Sequence, residues 1–218
     1  MSILDALGVN DHQVGKVHGV AAGLVTNNQD PDGLGRVKVK FPWLSDDNET
    51  DWVRMATLMA GSDRGSFFLP EVGDEVLVAF EHGDINRPFV IGSLWNGVDK
   101  PPESNSDGQN NIRKIKSRSG HEFIFNDNST SQQEKVEIHT NSGHKISLDD
   151  STGQAKIEIV DNTGSNSIVI DSVQNSISIS SSLQLNIKAN IIEISADSML
   201  TIKAGAVLTL QGSLVKIN

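Results

Sequence analysis

Chemistry needs a nucleophile beside a base, a set of metal ligands or a phosphate cradle, and the polar residues of this chain approach each of these without completing one. His121-Glu122 begins a zinc-protease pair but has no second histidine at the spacing that would place two imidazoles on one helix face. His82 and Asp84, in the run Glu81-His82-Gly83-Asp84, could form a dyad, yet no nucleophile or oxyanion pocket accompanies them and the run reads as a turn. Asp30-Pro31-Asp32-Gly33 starts like a calcium loop without the glutamate that closes one, so it too reads as a tight turn. His139 and His144 flank a hairpin turn that could bring them together, but a metal site there is the weaker reading beside the plain turn. Gly73, Gly83 and Gly92 read as turn and bulge residues rather than a phosphate cradle. The chain has no cysteine, which removes thiolate nucleophiles, thiolate zinc sites and disulfides. No G-x-S-x-G elbow and no P-loop occur. The expectation is a protein with no catalytic residues, no cofactor and no bound metal, and not an enzyme.

Composition narrows the class further. The 218 residues carry 28 acidic against 18 basic side chains, a net charge of -10 that disfavours nucleic acid as a partner, because phosphate neutralisation needs a surplus of Lys and Arg. With 37% hydrophobic and 21% charged residues the chain can build a core. Met1 to Leu7 lacks a basic start and carries Asp5 where a signal peptide would be apolar. The longest apolar run, Val76 to Phe80, is far short of the ~20 residues of a membrane-spanning helix. The expected place of synthesis is the cytoplasm, without a signal peptide.

The elements that would position these residues are strands throughout. All three Trp and all seven Phe lie between Phe41 and Phe125, so the chain has two halves of different character. In the first, Val17 to Val25, Arg36 to Phe41, Trp52 to Thr57, Glu75 to Glu81 and Phe89 to Trp95 are predicted strands. Five short strands punctuated by Gly, Pro and Asp predict a small barrel over residues 14–97, behind a leader of residues 1–13. Val37, Val39 and Phe41 alternate with Arg36, Lys38 and Lys40, which places valines inward and a basic stripe on a solvated face. Asn96 to Ile112 is polar and rich in chain breakers, and residues 98–114 read as a linker too short to house a catalytic domain.

Residues 115–218 repeat a single device, two apolar residues separated by one. The pairs are Phe123/Phe125, Val136/Ile138, Ile146/Leu148, Ile157/Ile159, Ile168/Ile170, Ile177/Ile179, Leu185/Ile187, Ile192/Ile194, Leu200/Ile202, Leu208/Leu210 and Val215/Ile217. Successive pairs are 13, 10, 11, 11, 9, 8, 7, 8, 8 and 7 residues apart, so the repeat tightens toward the C-terminus. The early steps hold turns such as Asn141-Ser142-Gly143, Ser151-Thr152-Gly153 and Asn162-Thr163-Gly164, whereas the late ones leave a corner of two or three residues.

One narrow apolar face per strand must meet a partner surface, because a flat meander would leave the whole face in water. A single-chain β-solenoid and three chains wound around a common axis both close it. Two features favour the trimer. The steps up to Ile179 are irregular, which exposed loops accept better than a continuous solenoid register, and Ser165 to Asn218 carries three acids and three bases. A nearly neutral, Ser- and Ile-rich β segment would aggregate as an open sheet, and a prism removes its edges. Ile146, Leu148, Ile157, Ile159, Ile168, Ile170, Ile177, Ile179 and the five later pairs through Ile217 are the expected trimer core.

The first half also carries a family resemblance. Gly23 to Asn27, Asp30-Pro31-Asp32-Gly33-Leu34-Gly35-Arg36-Val37-Lys38-Val39, Phe41-Pro42-Trp43, Trp52-Val53-Arg54, Phe68-Leu69-Pro70-Glu71-Val72-Gly73-Asp74-Glu75-Val76, Glu81-His82-Gly83-Asp84, Arg87-Pro88 and Gly92-Ser93-Leu94-Trp95-Asn96-Gly97 occur in the order of the OB-fold domain of contractile-injection spikes. The chain resembles that family, which takes in VgrG of type VI secretion, phage baseplate assembly protein V and the spikes of extracellular injection particles. The resemblance implies an all-β chain: a five-stranded OB barrel followed by an intertwined homotrimeric β-helix needle, built into the baseplate of a phage tail or injection particle. VgrG proteins carry large hub domains ahead of the barrel and about thirteen residues precede it here, so the expected hub is a separate protein at the N-terminal end. The expected partner at the other end is a PAAR-repeat tip protein, contacting Leu214, Lys216, Ile217 and Asn218. On contraction the needle would meet a target membrane.

Three readings follow from these residues. The leading one is a non-enzymatic trimeric spike. The second is an OB-type oligonucleotide- or oligosaccharide-binding module with a trimerising stalk, supported by Arg36, Lys38 and Lys40 and opposed by the acidic balance. The third is a hydrolase with its site on a β-solenoid face, which requires a carboxylate cluster that the C-terminal repeats lack.

Overall fold

The computed structural model describes residues 16–44 and 48–217. The leader and Asn218 therefore lie outside the described residues. The chain divides into two compact units between Gly108 and Gln109.

The first unit contains β1 (Val20–Asn27), β2 (Lys38–Lys40), β3 (Arg54–Met55), β4 (Ala60–Gly61), β5 (Arg64–Gly65), β6 (Glu75–Phe80) and β7 (Pro88–Ser93). Five of these form one sheet in the order β2-β1-β6-β7-β3, with β4 and β5 a separate hairpin. Neighbours are antiparallel except β3 and β7, which run parallel. Val37 and Val53 exchange backbone N–H···O bonds of 3.0 and 2.8 Å and so join the two ends of that order. The predicted strand Trp52 to Thr57 is thereby cut to two residues. Val53 is committed to Val37, while the Ala56 N–H already donates to Val90 O at 2.7 Å.

Alternation sets the core. Val76, Val78 and Phe80 point inward from β6 while their neighbours are half-buried, and Val25, Val37, Val39, Phe41, Val53 and Val90 complete the cluster. Each such valine contributes roughly 1.5–3 kcal/mol by leaving water. The Phe41 and Phe80 rings meet at 5.6 Å with a tilt of 46°. Gly23 is required where β1 crosses β2: a Cβ there would run into Val39 and lie 3.2 Å from the Lys40 carbonyl oxygen.

The second unit contains β8 (Ile112–Lys116), β9 (Glu122–Asn126), β10 (Lys135–His139), β11 (Lys145–Asp149), β12 (Lys156–Val160), β13 (Ser167–Asp171) and β14 (Ser176–Ser180). They form one antiparallel meander in sequence order. β8 begins inside the stretch read as linker, because Arg113 and Lys114 pair with Phe125 and Ile124. The pairs from Leu185/Ile187 onward, expected as strands, carry no strand assignment. Their short steps leave corners of only two or three residues, and among the described residues none of these segments pairs with another part of the chain. Among the described residues no helix is long and apolar enough to cross a membrane.

Candidate functional site

Registry turns the apolar pairs of the second unit into two continuous rows. Phe125, Val136, Leu148, Ile157, Ile170 and Ile177 stand directly opposite one another from strand to strand, as do Phe123, Ile138, Ile146, Ile159, Ile168 and Ile179. Because side chains alternate across a strand, both rows occupy one face of the meander. Among the described residues nothing covers this face fully: the isoleucines and the leucine from Ile138 to Ile179 are between 39% and 71% exposed. The Phe123 and Phe125 rings pack edge to face at 4.7 Å at its upper end. Contiguous apolar strips of this length are uncommon on the surface of monomeric proteins.

The opposite face is satisfied internally. Glu122 accepts from Lys116 at 3.0 Å with Lys114 at 3.6 Å, and Glu158 sits between Lys145 at 3.0 Å and Lys156 at 3.3 Å. The Lys116 ammonium beside Glu122 and the Lys145 ammonium beside Glu158 hold both carboxyls below their ordinary range. Glu137 is paired with Lys135 at 3.2 Å and accepts a bond from Ser147 Oγ at 3.4 Å. Long charged side chains shield this face, while the row face is left bare.

Along one side of the sheet the turns stack, and the histidines hold them together. In the turns Ser117 to His121 and Thr140 to His144, the hydroxyl of the first residue accepts from the backbone N–H of the histidine at 3.0 Å. His121 Nδ1 then accepts from Asn141 N at 3.2 Å, and His144 Nδ1 from Asn162 N at 3.1 Å, each linking one turn to the next. The stacking is tight: a Cβ on Gly120, whose φ is +84°, would lie 2.9 Å from Asn141 Oδ1. At the last turn Asp161 accepts from Asn166 Nδ2 at 2.7 Å and from Thr163 Oγ1, and these bonds lower its pKa to about 2. Asn166 Oδ1 in turn accepts from Ser181 Oγ at 2.9 Å and Ser182 N at 3.3 Å, where the chain leaves β14. This role of His121 and His144 was missed in the sequence, although the recurrence of Ser-Gly-His at 119–121 and 142–144 signals it. His139 does not join His144: its Nε2 lies 3.6 Å from Glu137. Among the described residues no group of three or more His, Cys, Asp or Glu is placed to hold a metal ion.

The later candidates, Leu185, Ile187, Ile192, Ile194, Leu200, Ile202, Leu208, Leu210, Val215 and Ile217, are all exposed, as are Leu214 and Lys216. They are not brought into the two rows.

In the first unit the calcium-like loop holds a guanidinium. Asp30 accepts from Arg36 Nε at 2.8 Å and Nη2 at 2.7 Å and from the backbone N–H groups of Asp32, Leu34 and Arg36, while Asp32 accepts from Arg36 Nη2 at 2.6 Å. The Arg36 guanidinium holds the Asp30 carboxyl well below the carboxylate range. Lys38 is bonded to Glu49 at 2.8 Å and lies 5.6 Å from the Trp52 ring centroid. Two of the three cations of the basic stripe are thus paired within the chain. His82 occupies the turn with φ +52°, and Asp84 accepts from Asn86 N at 3.0 Å.

Comparison with known proteins agrees with this architecture. Residues 21–95 match the model of the type VI secretion system/phage-baseplate injector OB domain. Over 131 residues, 58% of this chain, it is 30% identical to the type VI secretion system spike protein VgrG3 of Vibrio cholerae, covering 11% of that protein. Over 75 residues, 33% of this chain, it is 40% identical to spike protein VgrG2a and 39% identical to VgrG1a of Pseudomonas aeruginosa, covering 9% and 12% of them. The chain spans about a tenth of the length of these relatives. Residues 21–95 thus match an injector OB domain, and the similarity to VgrG spike proteins supports a place for the chain in the VgrG-like spike family.

Proposed function

We propose that this chain is the structural central spike of a contractile injection system: a homotrimer whose OB units form a collar on a separate hub and whose second units close into a needle that concentrates the force of contraction on a target membrane. The observation that carries the reading is the pair of bare apolar rows on a unit that follows an injector OB domain. Three copies related by a threefold axis present three such faces to one another and bury all of them, a closed symmetry that leaves no row in water. A PAAR-repeat protein on the far end, meeting Leu214, Lys216, Ile217 and Asn218, completes the assembly. No step of this function asks for catalysis, and the role is mechanical.

The oligonucleotide-binding alternative is weakened at two of the three residues that suggested it, since Arg36 and Lys38 are paired with Asp30, Asp32 and Glu49. The test is to purify the contractile particles of the producing cell and quantify the chain in them by mass spectrometry. Three copies per particle are expected. Particles that assemble and contract without the chain would overturn the proposal.

A further inference from the structure

The barrel sheet is apolar on both of its faces where β1 meets β6. Val25 of β1 and Val76, Val78 and Phe80 of β6 face the core, so alternation sends Val20, Ala22, Leu77 and Ala79 to the other side. Register sets Val20 opposite Ala79 and Ala22 opposite Leu77, one apolar strip across the two strands. At the margin of this strip Val17, Val20, Ala22, Pro42 and Trp43 line a shallow, mainly apolar groove. Val20 is 55% exposed there and Trp43 51%, although the Trp43 ring reaches back to the buried Phe41 ring at 5.6 Å. An indole left half in water beside an apolar strip offers a seat to a further apolar segment.

Position and charge say which segment that is. Lys16 is the first of the described residues and forms part of the groove wall. Its bridge to Asp84 and the bond from Val17 N to Gly83 O at 2.9 Å hold it there, so the chain ahead of it starts at the rim of the groove. The fifteen residues ahead carry most of their large apolar side chains early, as Ile3, Leu4, Leu7 and Val9, followed by the polar run Asn10-Asp11-His12-Gln13. Residues 10–15 can span up to ~20 Å when extended, ample for the segment 3–9 to return onto a groove that begins at the next residue. These fifteen residues hold Asp5 and Asp11 and neither Lys nor Arg. The groove side holds Lys16 and, on β2 just ahead of Pro42, Lys40. Among the described residues neither lysine enters an ion pair, whereas Arg36 and Lys38 of the same stripe both do.

We propose that residues 3–9 fold back on their own barrel and seat Ile3, Leu4 and Leu7 in the groove against Val20, Ala22 and Trp43, with Asp5 turned toward the Lys16 and Lys40 ammonium groups. The leader is then a strap across the outer face of the barrel. Tethering favours this occupant over a separate protein, because a short flexible link holds the segment at an effective concentration on the order of mM and modest apolar burial then suffices. The inference does not rest on the trimer reading, since groove and leader belong to one chain.

The full chain carries the test. Trp52→Phe and Trp95→Phe leave Trp43 as the only tryptophan, and its emission reads the cover of the groove. In that background L4D/L7D is expected to shift the emission to the red and to increase its quenching by acrylamide, with circular dichroism unchanged. The absence of native cysteine lets disulfide trapping identify the chain that supplies the segment. L7C/V20C is expected to close within one chain on oxidation and to run as a monomer on a denaturing gel without reductant. Adding I3S/L4S is expected to slow that closure. Emission and quenching unchanged in L4D/L7D overturn the proposal. Closure at the same rate with and without I3S/L4S also overturns it, since the tether alone would then be bringing the cysteines together. Bands linking different chains assign the groove to the leader of another copy and overturn docking within the chain. None of these readouts is the solution mass, so the strap and the trimer stand or fall separately.

Discussion

At the scale of single residues, the Asp30–Arg36 clasp and the Gly23 crossing do what a larger core would do elsewhere. Asp30 organises its loop by accepting from three backbone N–H groups and a guanidinium at once, so its charged form is favoured by folding. The folded pKa is depressed, and the stabilisation is therefore complete above the unfolded value of ~3.9 and is lost as pH falls below it. Asp30→Asn is expected to lower the melting temperature at pH 7, with the difference from the parent chain shrinking as pH drops below ~4. Thermal scans across that range check it, and a difference that grows on acidification would show another group responsible. At Gly23 there is no room for a side chain against Val39 and the Lys40 backbone. Gly23→Val should cost about 1–3 kcal/mol by overpacking, measured as a shift in the denaturant midpoint.

At the scale of elements, the turn column explains why the meander keeps its register. Each histidine bond between turns ties two hairpins that are otherwise connected only through the sheet. His121→Ala or His144→Ala is expected to remove about 1 kcal/mol apiece and to speed hydrogen exchange at Asn141 N or Asn162 N respectively. A variant in which those amides keep full protection would show that the stacking does not depend on the ring. The strands of the meander could be read from sequence because one rule governs them: an apolar pair, a flanking residue on each side, and a turn with Gly, Asn or Asp. The turn column could not be read so easily, since each histidine looks solitary until register brings Asn141 beside His121. β3 was over-extended for a related reason. A run of strand formers does not show that its backbone groups are divided between Val37 and Val90. The later pairs were visible as a pattern, but pattern alone does not say which chain supplies a strand's neighbour.

The same rows give a test that separates chain from assembly. Ile168 is exposed in the single chain, so Ile168→Ala should cost almost nothing there, whereas in a closed prism it removes a buried side chain from three chains at once. About 2–5 kcal/mol per chain is then expected, seen as a lower dissociation temperature of the trimer. An assembly as stable as the parent would mean that the row faces solvent after all.

At the scale of the whole molecule, the described residues leave the apolar rows of the second unit exposed. In the proposed trimer, closing three faces around an axis would bury the rows, and winding the later strands among copies would make separation of any one chain require disentangling the other two. Dissociation should be slow even where equilibrium stability is ordinary, so a trimer band is expected to survive in unheated SDS. Rapid exchange between tagged and untagged subunits at room temperature would contradict that expectation. The most direct test is simpler. The mass of the purified chain by light scattering should be three times 23.5 kDa and should hold on dilution; a stable species at 23.5 kDa, with its apolar rows in water, would contradict the account at its centre.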